Sequence, residues 1–366
     1  MLVDINRQIL SWAREESGMT IESAALALKL NSIDLKKWEE VGKDVPFNIL
    51  EGVARLYKRQ AAIFFLTKVP EKNKKPKDYR NLNVAGGNFS PDVMLAIRRT
   101  DRYLRVAKEL VDDDTLARQY EWTKIFNKKD SIEEQIILLK KILDIKTVDS
   151  GRKKRSDASF RYWRSAIEEK LGIFVFQFSM PEDELDGFSY TLDKFPYAIV
   201  INNKHAHVRK IFTLFHELAH ILNNHSGACK TDFTSNNISS IELDCNNFAG
   251  KFLAPDTDIR QTKSVDDIFN FAGVLNISGE TYLRRLFDTQ KISRQEFFDL
   301  LSLIKIKSNN LPRKNKEAGP ISRVILSKST RGVKFFNLVS GAAEINKISF
   351  SRASDLLGLK VSNIKL

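Results

Sequence analysis

Cysteine is nearly missing from this chain: Cys229 and Cys245 are the only two in 366 residues. Two are too few for a disulfide framework. No apolar run approaches the roughly 18–20 residues that a membrane span needs. The opening Met1-Leu-Val-Asp-Ile-Asn-Arg7 lacks the basic stretch and apolar core of a secretion signal. These shortages argue against a disulfide-stapled secreted domain and a membrane-spanning protein, so the expectation is a cytoplasmic protein with no membrane partner. Histidine is scarce as well, with five residues in all.

What is present is ordinary for folded protein: 42% hydrophobic and 29% charged residues. The length exceeds one usual core, so two or three domains are expected. The net charge of +13 is unevenly spread. Lys/Arg and Asp/Glu balance over residues 1–66, whereas the last sixth of the chain carries most of the excess. A second basic cluster is Arg152-Lys-Lys-Arg155, followed by Arg161 and Arg164. Such patches suit an acidic partner such as DNA, or equally a solvated surface.

Residues 6–66 read as five short helices. Thr20 caps Ile21–Leu28, Asn31/Ser32 starts Ile33–Glu40, Pro46 opens a fourth helix, and Ala61–Leu66 is the fifth. Two short helices joined tightly within such a domain predict a helix-turn-helix over 1–67, with Ser32, Lys36 and Lys37 placed to contact DNA or a protein partner. A linker is expected over 68–90. An α+β domain is expected over 91–260, with helices from Ser90-Pro91 to about Val111, Ile132–Ile145 and Tyr162–Leu171. Its strands are Gly172–Phe178, Gly187–Leu192 and Ala198–Asn202, and its last helices Arg209–Leu222 and Ile241–Leu253. Residues 261–366 read as a helical, basic region with a second helix-turn-helix-like pair, Asp266–Gly273 and Ser278–Phe287. No internal repeat is apparent.

Chemistry concentrates in Phe212-Thr-Leu-Phe-His-Glu-Leu-Ala-His220, which contains H-E-x-x-H. All five histidines (His205, His207, His216, His220, His225) fall close around it. On a helix, positions i and i+4 share one face about 6 Å apart along the axis. Two imidazoles so placed can reach one zinc ion, with Glu217 beside a metal-bound water. Zinc can lower the pKa of such a water from 15.7 to about 7, and Glu217 is suited to take its proton and pass it to a departing amine. A third ligand must come from elsewhere. Glu242 is favoured over Asp244, which points about 200° away around the same helix. Cys245 offers a soft alternative but reads better as a buried thiol. Asn246, four residues after Glu242, is placed to orient a ligating histidine. His205, His207, His225, Tyr190 and Tyr197 are weaker candidates as donors to a developing oxyanion. The strand Gly187–Leu192 is a candidate edge for an extended peptide.

Phe212–Leu222, Ile241–Pro255 and the strand ending Ile-Val-Ile-Asn-Asn203 together resemble the ImmA/IrrE family of metallopeptidases. Ala13–Thr20, Lys37-Trp-Glu39, Leu56–Arg59 and Phe64–Leu66 resemble the Xre-type helix-turn-helix often fused to it. Leu283-Arg-Arg-Leu286 and Ala353–Gly358 are similar to the long form of that family. The resemblance implies a zincin-like domain with ligands His216, His220 and Glu242 and catalytic base Glu217. It implies cleavage of a regulatory protein, typically a transcription repressor, in stress, mobile-element or phage-defence circuits, sometimes beside toxins.

Two departures concern the N-terminal module. Lys29 stands where the family commonly has Gly in the turn, and Val41 replaces a Gly that here comes one place later, as Gly42. With a neutral domain, phosphate-driven DNA affinity is not indicated. The competing expectation, resting on the helix-turn-helix and the basic C-terminal region, is a DNA-binding regulator or antitoxin-like component whose zinc domain is non-catalytic. A divalent ion other than zinc, such as manganese, would suit the same ligands.

Overall fold

The computed structural model describes residues 1–70, 89–126, 130–145, 157–192, 194–223, 228–229, 240–310 and 322–364. Most of the linker expected over 68–90, the basic cluster 152–155 and His225 lie outside these residues. By compactness the chain divides into two units, one of Met1–Asp101 with Ser179–Leu185, the other of Arg102–Phe178 with Asp186–Leu366. The whole is α+β, mostly helical with small sheets. Among the described residues, no helix is long and apolar enough to cross a membrane.

In the first unit, side-chain caps start the helices. Asn6 accepts from Gln8 N before α1 (Arg7–Glu15), Thr20 from Ser23 N before α2 (Ile21–Leu28), and Asn31 from Ile33 N before α3 (Ser32–Val41). Next, α4 (Phe47–Leu56) follows Pro46, and a 3-10 turn, Ala61–Phe65, stands where a fifth helix was expected. A two-residue ladder of β1 (Leu2–Val3) with β2 (Val45–Pro46) had no clear sequence signal. The first part of α5 (Pro91–Leu110) completes the unit.

Between α2 and α3 the turn is three residues long. Lys29 adopts the left-handed conformation (φ 56, ψ 41), and Leu30 N donates to Ala25 O at 2.9 Å. A Cβ in that region costs roughly 1–2 kcal/mol, a strain that glycine avoids. After α3 the left-handed residue is Gly42 (φ 75), where a Cβ would meet Ile5 O at 2.6 Å. Arg14 pairs with Glu39 through two bonds of 2.8 and 3.0 Å. Glu39 is therefore turned inward, and α3 presents Ile33 (69% exposed), Lys36 and Lys37 to solvent.

The second unit is built on a four-stranded sheet of order β3-β5-β4-β6. The parallel pair is β3 (Phe174–Phe178) with β5 (Tyr197–Asn202), with Val175 opposite Ile199. On the other side of β5, β4 (Gly187–Thr191) runs antiparallel, with Phe188 opposite Val200. The two-residue β6 (Ala228–Cys229) pairs with Phe188 and Gly187. The strand expected to be an edge is thus covered by β6 at its first two residues. All of β3 and β5 is buried, which fits their near-continuous apolar sequences.

One face of the sheet joins the main core with α8 (Asp157–Lys170), α9 (His207–Leu222) and α10 (Ser240–Leu253). That core also includes residues of α6 (Asp113–Gln119), α7 (Ile132–Ile142), α11 (Val265–Leu275), α12 (Gly279–Asp288) and α13 (Arg294–Asn310). The alternate residues Phe174, Phe176 and Phe178 meet Tyr103 and Phe335, with Tyr103 and Phe335 ring centroids 4.7 Å apart. Phe335 belongs to α15 (Val333–Glu344), which lies between α14 (Arg323–Arg331) and α16 (Phe350–Leu357).

Two sequence-level readings of charge change here. Arg164, expected among surface basic residues, is buried; it pairs with Glu168 and donates to Ser329 O and Val175 O. Glu168 in turn accepts from Val333 N and Lys334 N. Several basic residues of the described part of the tail also pack within the unit. Lys328, Arg331 and Lys334 lie over the rings of Phe336, Tyr103 and Phe174, while Lys347 donates to Leu110 O and Arg352 pairs with Glu109. Cation–π and ion-pair contacts to this unit's own groups account for these charges without a nucleic acid. The second expected helix pair is present as α11 and α12, joined by a three-residue turn, and no residue of α12 is exposed.

Two stretches of this unit share a short local pattern. Gln290 (φ 57) and Asn346 (φ 58) each follow a helix in the left-handed conformation, and Ser293 and Ser349 stand at the next helix start. Lys291-Ile-Ser293 and Asp299-Leu-Leu301 recur as Lys347-Ile-Ser349 and Asp355-Leu-Leu357.

Candidate metal centre

Every residue of α9 from Ile211 to Leu222 is buried. A helix this apolar is held on several sides at once. Phe215 stacks on Phe252 of α10 at 4.1 Å, and Trp163 of α8 meets both rings edge-on. On the sheet side, Gly187 permits close approach: a Cβ there would stand 2.7 Å from Thr213 Cγ2 and 2.5 Å from Val200 O. Thr213 lies three residues before His216, so this contact sets the depth of the motif on the sheet.

His216, Glu217 and His220 are 1% exposed or less. Glu242, in the first turn of α10, faces them with its side chain 29% exposed. His216 Nε2 and His220 Nε2 are 3.2 Å apart; Glu242 Oε2 is 3.2 Å from the first and Oε1 3.4 Å from the second. Ligands held about 2.0–2.1 Å from a tetrahedral ion stand about 3.3–3.4 Å from one another. The two imidazole nitrogens stand at this spacing, each with a different Glu242 oxygen beside it, and the group has the donor types and proximity to hold a metal ion. His216 Nδ1 and Asn246 Oδ1 are both buried without a hydrogen-bond partner. Asn246 Oδ1 therefore does not accept from an imidazole here.

Burial alone raises the Glu242 carboxyl, but hydrogen bonds and charge attraction from His216 and His220 outweigh it and hold the group far below the usual carboxylate range. Cys245 is pushed the other way, first by burial and then by the charges of Glu242 and Glu217. It remains a protonated thiol, buried and outside the ligand group. Asp244 is exposed on the far side of α10.

The weaker candidates are placed elsewhere. His205 Nε2 lies 2.8 Å from Asp186 Oδ1, and Arg209 reaches the same carboxylate at 2.8 Å. This buried ion cluster before β4 was missed, because Asp186 carries no motif. Tyr197 packs on Tyr120 and Trp122, and Tyr190 is buried in β4. Lys36 and Lys37 are exposed on α3, with Ser32 half-buried at its start.

Residues 168–287 match the family model described as the IrrE N-terminal-like domain, a metallopeptidase-like family. The matched stretch runs from the end of α8 into α12 and contains the whole metal-ligand group. It spans about a third of the chain. No curated protein and no solved structure matches.

Proposed function

We propose that this protein is a zinc-dependent endopeptidase acting in the cytoplasm on a regulatory protein, a transcription repressor of a stress, mobile-element or phage-defence circuit. The observation that carries this reading is the convergence of His216, His220 and Glu242 at 3.2–3.4 Å beside the buried Glu217. In this reading the two imidazole Nε2 atoms and the Glu242 carboxylate hold the ion. Bound zinc supplies Lewis acidity toward the scissile carbonyl and toward water. Glu217 Oε takes the proton from the attacking water and returns it to the departing amine. Phe212, whose ring centroid lies 6.4 Å from that of His216, helps exclude bulk water and strengthen these charge interactions. Asn246 is the candidate for orienting a ligating imidazole, through a small shift or a bridging water.

The N-terminal unit serves in this reading as an Xre-type helix-turn-helix that recognises the substrate protein, or DNA beside it, through Ser32, Lys36 and Lys37. The second reading is a DNA-binding regulator or antitoxin-like partner of a toxin, with a metal domain that does no chemistry. The exposed lysines of α3 favour it; the neutral balance of the unit and the internal use of the tail's charges oppose it. Co-expression of the chain, or its Glu217→Gln variant, with the repressor encoded nearby separates the two. Loss of the repressor with the native chain alone is expected. Equal survival with both, together with tight sequence-specific DNA binding, supports the second reading instead.

A further inference from the structure

Ile241 (38%) and Leu243 (37%) are exposed large apolar side chains, and they stand on either side of Glu242. On a helix of 3.6 residues per turn they diverge from it by about 100° each, so they flank Glu242, whose side chain is 29% exposed. The other large apolar residues of α10, Phe248, Phe252 and Leu253, are buried. Exposed apolar residues scattered singly over a surface need no explanation. Two confined to the flanks of one metal-ligand candidate are different, because neither contributes to the core and a polar residue would serve the helix as well. On α9, Phe212 continues the apolar character, with its ring centroid 6.4 Å from that of His216.

We propose that Ile241 and Leu243 are specificity-determining residues, selecting polypeptides that carry a large apolar side chain beside the scissile bond. This rests on the peptidase reading of the same site. A substrate side chain laid against this lip removes apolar surface from water on both partners. It also brings its own main-chain carbonyl toward the three donors. Polar or acidic side chains gain nothing there, and acidic ones meet the negative charge of Glu242.

The test uses the full chain loaded with zinc and a synthetic peptide library, with cut sites read by mass spectrometry. Cuts are expected to cluster beside Leu, Ile, Met, Phe and Val. The double variant Ile241→Ala/Leu243→Ala should lose about tenfold or more in kcat/KM on those peptides, the scale of removing apolar contacts from a specificity pocket. The loss should fall on KM, with zinc content and melting temperature kept. Leu243→Lys should shift preference toward acidic neighbours, and Asp244→Ala should leave the apolar preference in place. Cuts without apolar enrichment, or an unchanged preference in the lip variants, overturn the proposal. If nothing is cut in a Glu217-dependent manner, the peptidase reading fails by itself. The lip is then judged by binding of apolar against all-polar peptides to the zinc-loaded Glu217→Gln chain, where equal affinity overturns it.

Discussion

Metal removal is the perturbation that follows most directly from the geometry. The donor atoms of His216, His220 and Glu242 stand at ligand spacing in the folded chain, and an unfolded chain cannot hold that spacing. Zinc should therefore bind the native state far better than the unfolded one. At free zinc a hundred times the dissociation constant, linkage gives about 2.7 kcal/mol of added stability. For a unit of this size, 1 kcal/mol moves the midpoint by about 2–4 °C, so the transition containing the sheet should rise by about 5–10 °C. The assay is calorimetry or fluorescence melting of chelator-stripped protein titrated with zinc, repeated on three variants. His216→Ala and Glu242→Ala should lose the shift, whereas Glu217→Gln should keep it while losing cleavage. A shift that survives both ligand variants, or none in the native chain, would refute the assignment of these three donors.

Other expectations concern the scaffold. Phe252→Ala removes a ring packed on Phe215 and Trp163 and should cost about 3–5 kcal/mol in denaturant unfolding. Glu168→Ala leaves the buried Arg164 guanidinium without its carboxylate. A loss of about 3–5 kcal/mol is expected, and a loss below 1 kcal/mol would show that Ser329 O and Val175 O suffice. Gly187→Val should drive β4 and α9 apart, seen as weakened zinc binding in the melting assay before any change in the N-terminal unit. Lys29→Gly should relieve the left-handed strain between α2 and α3 and raise stability by about 0.5–1 kcal/mol, read as a shifted urea midpoint at unchanged slope.

How much of this was legible in the sequence depends on how local each signal is. The H-E-x-x-H spacing, the caps Thr20 and Asn31 and the β-branched run Ala198–Asn202 are local. They led to α9, α2, α3 and β5 within a residue or two. Glu242 was reached through helical phase, which turns Asp244 away, and through the family resemblance. Non-local facts were hidden. Nothing near Asp186 signals its meeting with His205 and Arg209, and charge counting could not reveal that Arg164, Lys328 and Lys334 are spent inside the fold. The recurring Lys-Ile-Ser and Asp-Leu-Leu triplets are short, and the left-handed residues Gln290 and Asn346 beside them are visible only in the backbone.

The row of Phe174, Phe176 and Phe178 has a practical side. The stretch that resembles a known domain ends in α12, yet the cover for these rings is Phe335, far downstream, and Tyr103, upstream. Cut out at its similarity borders, that domain would carry a bare aromatic ribbon on one side of its sheet, an invitation to stick to its own kind. The natural boundaries for expressing the metal-binding part by itself are therefore set by this ribbon, and they run from near residue 102 to the end of α16.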